Sequence, residues 1–287
     1  MTTKNILVIG ATGKVGSAVI RQLAHHDSVK IHAGVRDISR ASSIIQEEVT
    51  FVPLDLDDPD TIVSAVKNID SLLLLTGYSV DMLKQSKRVI DAAKASGVSH
   101  IVHIGASGNP TSEVAHWGWH RMIEAYIEQQ GFDYTHVQPE AFMQNINTFG
   151  WLQEHSLSNL IKDSVWSWVD ADDVGALAGE ALARPEDFRN QVWRLGYDAA
   201  DMRQVADMLS AKIGRTIEIE HIDPNDFYQA AIDAGADPAY IACIRDQFIL
   251  NGKNAIANVD ATFDASAFEH AVGRKPSSFQ DYINRDF

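Results

Sequence analysis

The sequence predicts an α/β protein: a Rossmann-type, doubly wound parallel sheet with a smaller, mostly helical C-terminal part that binds substrate. Three observations predict it. Short apolar runs alternate with stretches of helical spacing over residues 1–140, a glycine-rich turn follows the first run directly, and the alternation loosens after residue 140. Strand–helix alternation of this length is the pattern of a sheet built by right-handed crossovers.

The runs NILVIG (5–10), VKIHAGV (29–35), VTFVPLDL (49–56), SLLLLTG (71–77), HIVHIGA (100–106) and YTHVQP (134–139) are bounded by Gly, Pro or Asp. Such runs read as strands buried on both faces, the habit of a parallel sheet. Between them, Val15, Val19, Ile20 and Leu23 make one helical stripe; Ile62, Val63 and Val66 make another, and Val89, Ile90 and Ala93 a third. Gly97 and Gly131 stand where helices end, and Asp58-Pro59 where one begins. Residues 140–168 are rich in aromatics, and VDADDVGALAGEAL (169–182) reads as a helix with acidic residues at its favourable N-terminal end. QVWRLG (191–196) and the alternating TIEIEHI (216–222) read as further strands, and residues 224–287 as mostly helical. The expected organisation is a dinucleotide-binding part over 1–140 and a mixed substrate-binding part over 141–287, with 169–196 returning to the first sheet.

The composition narrows the function classes. Of 287 residues, 24 are Lys or Arg and 39 are Asp or Glu, a net charge of −15. That balance repels phosphate backbones and anionic lipid, so neither nucleic acid nor a membrane surface is an expected partner. With 45% apolar and 22% charged residues the chain has an ordinary globular make-up, and its single cysteine, Cys243, allows no internal disulfide. No run approaches the ~20 apolar residues that span a bilayer. The opening MTTKNILVIG lacks the pattern of a signal peptide, so a cytoplasmic location is expected.

The strongest chemical signal is Gly10-Ala11-Thr12-Gly13-Lys14-Val15-Gly16, between the first strand and the first helix. Glycines there let the backbone approach a pyrophosphate, whose charge the N–H groups and dipole of the helix stabilise. The second strand ends at Val35 and is followed by Arg36, with Arg40 one turn on. An acidic residue at that point would accept from ribose hydroxyls, whereas an arginine suits a 2′-phosphate, so NADP(H) is expected in preference to NAD(H). The bland alternative is that both arginines are solvated surface charges. Asp55 and Leu56 end the third strand, where they can meet an adenine, while Asp57 and Asp58 serve equally well as helix caps. Gly77, and Gly105, Ala106 and Ser107, end the fourth and fifth strands, at the edge where open α/β sheets bind ligands.

These motifs, with several others, resemble the NmrA-like branch of the short-chain dehydrogenase/reductase superfamily over nearly the whole chain. The resemblance rests on GATGKVG (10–16), VRDISRA (35–41), LDLDDPDTIVSAV (54–66) and AAKASGVSHIVHIGASG (92–108). It continues through His120-x-x-x-Glu124, QPEAFMQN (138–145), VDADDVGALA (169–178) and GRKPSSFQDYI (273–283). It implies that Pro139, Glu140 and Phe142 line the nicotinamide end. That branch includes quinone reductases, triphenylmethane-dye reductases and redox-sensing regulators, so resemblance alone does not settle the activity. Gln138 is a departure, because many relatives carry Arg before this proline.

The superfamily's usual proton donor is a Tyr with a Lys four residues on, and no Tyr-x-x-x-Lys occurs in this chain. In its place stands His116-Trp117-Gly118-Trp119-His120, whose histidines share one helix face. A histidine of near-neutral pKa can supply a proton or orient the nicotinamide ribose, which makes His116 a candidate acid and His120 a candidate cofactor-side residue. Equally, both can be pocket-wall histidines with satisfied hydrogen bonds. The pair also has metal-ligand spacing, but no third ligand is tied to it, and no metal is expected. Tyr78, after the fourth strand, is a further candidate donor.

Trp117, Trp119, Met143, Trp151, Trp166 and Trp168 fall in segments that would cover the nicotinamide, and aromatic walls suit a flat apolar ligand. They suit an ordinary core or a homodimer contact as well. The expected activity is hydride transfer from NADP(H) to an aromatic or quinone-like acceptor, which needs no strong general acid. The alternative is a non-catalytic NADP(H) sensor acting through a protein partner; a nucleotide-sugar epimerase comes third, disfavoured by the absent Tyr/Lys pair.

Overall fold

The computed structural model describes residues 3–108, 112–253, 263 and 265–287. The first half alternates as β1 (Lys4–Ile9), α1 (Lys14–Leu23), β2 (Val29–Val35), α2 (Ile38–Ile44), β3 (Thr50–Pro53), α3 (Pro59–Ala65), β4 (Ser71–Leu74), α4 (Met82–Ser96), β5 (His100–Ile104), α5 (Ala115–Gln129) and β6 (Asp133–Pro139). The second half runs β7 (Ala141–Phe142), α6 (Asn145–Thr148), β8 (Ser156–Asn159), β9 (Trp166–Val169), α7 (Ala171–Ala183), α8 (Pro185–Phe188), β10 (Gln191–Leu195), β11 (Asp198–Ala200), α9 (Met202–Ile213), β12 (Glu218–His221), α10 (Pro224–Asp233), α11 (Pro238–Asn251), α12 (Ala265–Val272) and α13 (Phe279–Asp286).

Seven strands form one sheet in the order β10-β6-β5-β4-β1-β2-β3, and every pair in it is parallel. This is a Rossmann-like sheet, and β10 from the second half extends its edge beside β6. Alternate residues of β1 feed opposite layers. Ile6 and Val8 pack with α1, α7 and α12, whereas Leu7 and Ile9 pack with α3, α4 and α5. The α1–α7 contact is close because small residues meet there: a Cβ on Gly175 would lie 2.3 Å from the Cβ of Ala18. The acidic start of α7 is a cap, Asp170 accepting from the Asp172 N–H at 3.0 Å.

Asp58 also acts as a cap, accepting from the Asp60 N–H at 3.0 Å with Pro59 in the first helical turn. Two strands stop earlier than the apolar pattern suggests. After Pro53 and Leu74 the chain leaves the sheet, so that Leu54–Leu56 and Leu75–Gly77 turn into a cleft at its carboxyl edge.

The aromatic stretch after residue 140 becomes a second core rather than a continuation of the first. There β9 is central in a three-stranded sheet (β11-β9-β7), and β12 pairs with β8. Trp168, Met143, Phe248, Phe279 and Tyr282 are buried together in it. Arg285 of α13 reaches the fully buried Asp170 at 2.8 Å, and Arg274 reaches Asp173 at 2.6 Å, which ties the C-terminal segment to the start of α7. No described helix is long and apolar enough to cross a membrane.

Candidate active site

One cavity of about 710 Å³ runs along the carboxyl edge of the sheet and into the second core. At its first end lies the glycine turn. Gly10 has a φ of +70°, accessible to glycine at little cost, and the Gly13 N–H closes the turn on the Gly10 carbonyl at 2.9 Å. A Cβ on Gly16 would sit 2.1 Å from that same carbonyl oxygen, so only glycine lets α1 start this close to β1. Gly10, Thr12, Gly13, Lys14 and Val15 line the cavity. Ala11 and Gly16 do not: Ala11 is fully buried in the core, and Gly16 is the packing residue beneath the turn. The N-terminus of α1 thus faces the cavity with main-chain donors, the arrangement that receives a pyrophosphate.

Arg36 lines the mouth beside Gly34, and Asp55, Leu56 and Asp57 form the adjoining wall. Arg40 is not among the residues that line the cavity. It lies in the exposed first turn of α2, where its N–H donates to the Asp37 carboxylate at 3.0 Å. Lys14 crosses the cleft, its Nζ donating to Thr148 Oγ1 at 2.7 Å, and so links the glycine turn to α6.

Gly77, Gly105, Ala106, Ser107, Pro139, Glu140 and Phe142 continue the wall towards the centre. Arg194, from the distant β10, steadies this stretch: it donates to Ser107 Oγ at 2.9 Å and lies 3.7 Å from the Glu140 carboxylate. Gln144 is held in turn, donating to Asp170 at 2.6 Å and accepting from the Ala171 N–H at 3.0 Å.

His116 and His120 both line the cavity from α5, as their spacing predicts. Both are buried, and desolvation pushes His116 down to about 3 and His120 down to about 4. At neutral pH each imidazole is uncharged. The near-neutral pKa on which the proton-donor argument rests is therefore absent; what remains to each is a neutral N–H or a lone pair, enough to orient a ligand. Gln138 takes a specific place behind them, donating to buried Glu124 at 2.8 Å.

The far end is aromatic. Tyr78 stands between Phe149 and Tyr240, with ring centroids 5.9 and 5.7 Å away, and forms the exposed rim. Beneath it Trp151 approaches Trp166 at 6.4 Å, and Trp166 stacks on Phe248 at 5.9 Å. Trp117 also lines the cavity. Three expected wall residues do not. Trp168 and Met143 are fully buried in the second core, where the Trp168 ring meets Phe279 edge-on and its N–H donates to Ala200. Trp119 is half-buried behind the wall, where it packs against the core under α3 to α5 and meets Tyr240 with ring centroids 6.3 Å apart. Phe227, Tyr240, Gln247, Phe248 and Asn251 of α10 and α11 complete the wall, with Phe149 from the α6 end. Phe227 and Phe248 stand out in the sequence, with Tyr228, as aromatics of the C-terminal helices suited to a lid; Tyr228 is not in the lining, and no local motif marks Tyr240, Gln247 or Asn251.

The sequence profile of the NmrA-like family matches residues 2–283. The chain belongs to the NmrA-like family. It is similar to an NAD(P)H azoreductase of Xenophilus azovorans, with 29% identity over 88% of this chain and 90% of that one. Among solved structures, an NADPH-dependent quinone oxidoreductase of Escherichia coli in complex with NADPH superposes with a TM-score of 0.80 at 22% identity, covering 98% and 99% of the two chains. The negative transcriptional regulator NmrA superposes with a TM-score of 0.77 at 17% identity, over 100% and 96%. The fold is therefore shared by NmrA-like proteins of both kinds, enzymes and a regulator.

Proposed function

We propose that this NmrA-like protein is a reductase that binds NADP(H) and passes hydride to a flat aromatic acceptor such as a quinone or an azo compound. The observation that carries this reading is the continuity of the cavity: the glycine turn and Arg36 stand at one end, the aromatic chamber at the other, and Gly105–Ser107 and Pro139–Phe142 between them. A dinucleotide laid along it would set its pyrophosphate at the α1 N-terminus, a 2′-phosphate at Arg36, its adenine beside Asp55 and Leu56, and its nicotinamide near Pro139 and Phe142. The azoreductase and quinone oxidoreductase relatives support the same class of reaction.

When bound, the cofactor supplies the hydride. The chain orients the two reactants, and its aromatic walls exclude water. The accompanying proton has no charged acid waiting for it, since His116 and His120 are neutral. Quinone-like acceptors tolerate this, because the anion formed by hydride transfer is a stabilised phenolate that takes its proton from solvent once it leaves the chamber. Reduction of an ordinary ketone fits less well.

The test follows NADPH absorbance anaerobically against quinones, azo dyes, cationic dyes and aryl ketones, with NADH as control. Turnover with the planar acceptors and little with ketones is the expected result; turnover with ketones alone would overturn the acceptor assignment. The lack of a charged acid also favours a second reading, a sensor that reports cofactor redox state to a protein partner. Tight NADPH binding without turnover, and with unequal affinity for NADPH and NADP⁺, would establish it, because equal affinity for both shifts no equilibrium.

A further inference from the structure

Behind Gly105, on the side of β5 and β6 covered by α5, lies a buried group of side chains that hydride transfer does not use. His103 and His136 are register partners on β5 and β6, so they project from the same face of the sheet. Glu124, one turn after His120 on α5, comes down between them. Each of the three offers a donor atom, these atoms lie within 4.8 Å of one another, and the side chains are buried.

We propose that His103, Glu124 and His136 form a binding site for a divalent transition-metal ion of the Zn²⁺ type. Two imidazoles and a carboxylate are a donor set that such ions take, with a further coordination position left open. Two further observations point to a ligand. His103 Nδ1 and His136 Nδ1 are buried without a hydrogen-bond partner, a state the interior rarely tolerates. A Cβ at position 105 would lie 2.9 Å from Glu124 Oε1 and 3.6 Å from His103 Nδ1, so Gly105 keeps clear the space where carboxylate and imidazole meet.

Each donor also has an outer partner of the kind that orients metal ligands. Gln138 donates to Glu124 Oε1 at 2.8 Å, and Arg121 to Oε2 at 3.1 Å. His120 Nδ1 lies 3.4 Å from His103 Nε2, and Glu128 Oε1 lies 3.3 Å from His136 Nε2. An ion here would pin α5 to β5 and β6 and so stiffen the cavity floor. The i, i+4 pair His116/His120 is not the ligand set: His120 stands outside it as a partner of His103.

The experiment uses the full chain without an affinity tag, expressed in cobalt-supplemented minimal medium so that the ion is present during folding. The expected result is one Co²⁺ per chain after desalting, a visible ligand-field band, and a Tm that falls when a chelator strips the ion. Glu124→Gln preserves size and the possibility of a hydrogen bond to Gln138 while removing the anionic ligand; it should lose the ion and the band yet stay folded by circular dichroism. Gln138→Leu should hold the ion about 10- to 100-fold more weakly against a chelator. Wild-type protein with no bound cobalt, or Glu124→Gln with the same cobalt content and band, overturns the proposal.

Discussion

At the glycine-turn end the cavity wall is largely main chain: Gly10, Thr12, Gly13, Gly77, Gly105 and Ala106 stand where β1, β4 and β5 run out. At the aromatic end it is side chain, supplied by Tyr78, Phe149, Trp151, Trp166, Phe227, Tyr240 and Phe248 from widely separated segments. The first end makes donors from the backbone at a helix start, and its chemistry is fixed as soon as the strand–turn–helix forms. The second end makes a surface whose shape depends on how several helices settle on the second core. One end should tolerate almost no change, and the other should yield gradually to substitution.

The largest expected effect comes from buried histidines, His100 at the start of β5 and His116 in the cavity wall. Burial pushes His100 down to about 4 and His116 down to about 3. Facing His100 are Asp133, Lys4, Arg189 and Glu186, and facing His116 is His120; none outweighs desolvation. Unfolded histidine titrates near ~6.5, so below that pH the unfolded chain takes up protons that the folded one refuses. Stability is therefore full above pH ~6.5 and lost as the pH falls towards the folded values, by about 2 kcal/mol per histidine between pH 7 and 5. Urea unfolding at the two pH values measures it. His116→Phe should lessen the pH dependence by about that amount, and an unaltered slope would remove His116 from the account.

Gly16→Ala comes next. Its new Cβ meets the Gly10 carbonyl at 2.1 Å and must displace the turn or the start of α1. A misplacement of that order should weaken NADPH binding by about 100-fold in a fluorescence titration. Binding at the wild-type level would mean that the turn is not the pyrophosphate site. Arg36→Ala is milder, at about 10-fold for NADPH, because one charge-assisted hydrogen bond at an exposed mouth is lost. NADH affinity should stay where it was, and an equal loss for both would place Arg36 elsewhere on the cofactor.

The same division explains what could be read from the sequence. The order of strands and helices through residue 140 was legible because periodicity is local, and so was the glycine turn, whose neighbours on both sides are contiguous in the chain. Trp168, Met143 and Trp119 show where the reading stopped. An aromatic or apolar residue in a strand or helix announces burial but not the direction it faces: Trp168 and Met143 face the second core, and Trp119 packs behind the wall against Tyr240. Arg40 illustrates a related gap: one helical turn from Arg36 is near in sequence, yet on α2 it is exposed and outside the cavity lining. Tyr240 and Gln247 were invisible because α11 reaches the cavity only through tertiary packing, and the His103–Glu124–His136 group because strand register, not spacing, brings it together.

Phe149→Ala is the gentlest test, and it bears on the aromatic end alone. Phe149 is 43% exposed, so its removal opens no large core cavity and should leave the fold intact. It meets Tyr78 edge-on at 5.9 Å and Trp151 at 6.0 Å, which makes it part of the rim over the chamber rather than its floor. An aromatic contact of this kind contributes about 0.5–1.5 kcal/mol, so KM for a quinone or azo acceptor should rise about 2- to 10-fold. NADPH affinity should not move, because the side chain lies beyond the nicotinamide end. If cofactor affinity fell together with acceptor affinity, the two ends would not be separable, and the α6 segment that bonds Lys14 through Thr148 would have to be treated as a cofactor clamp.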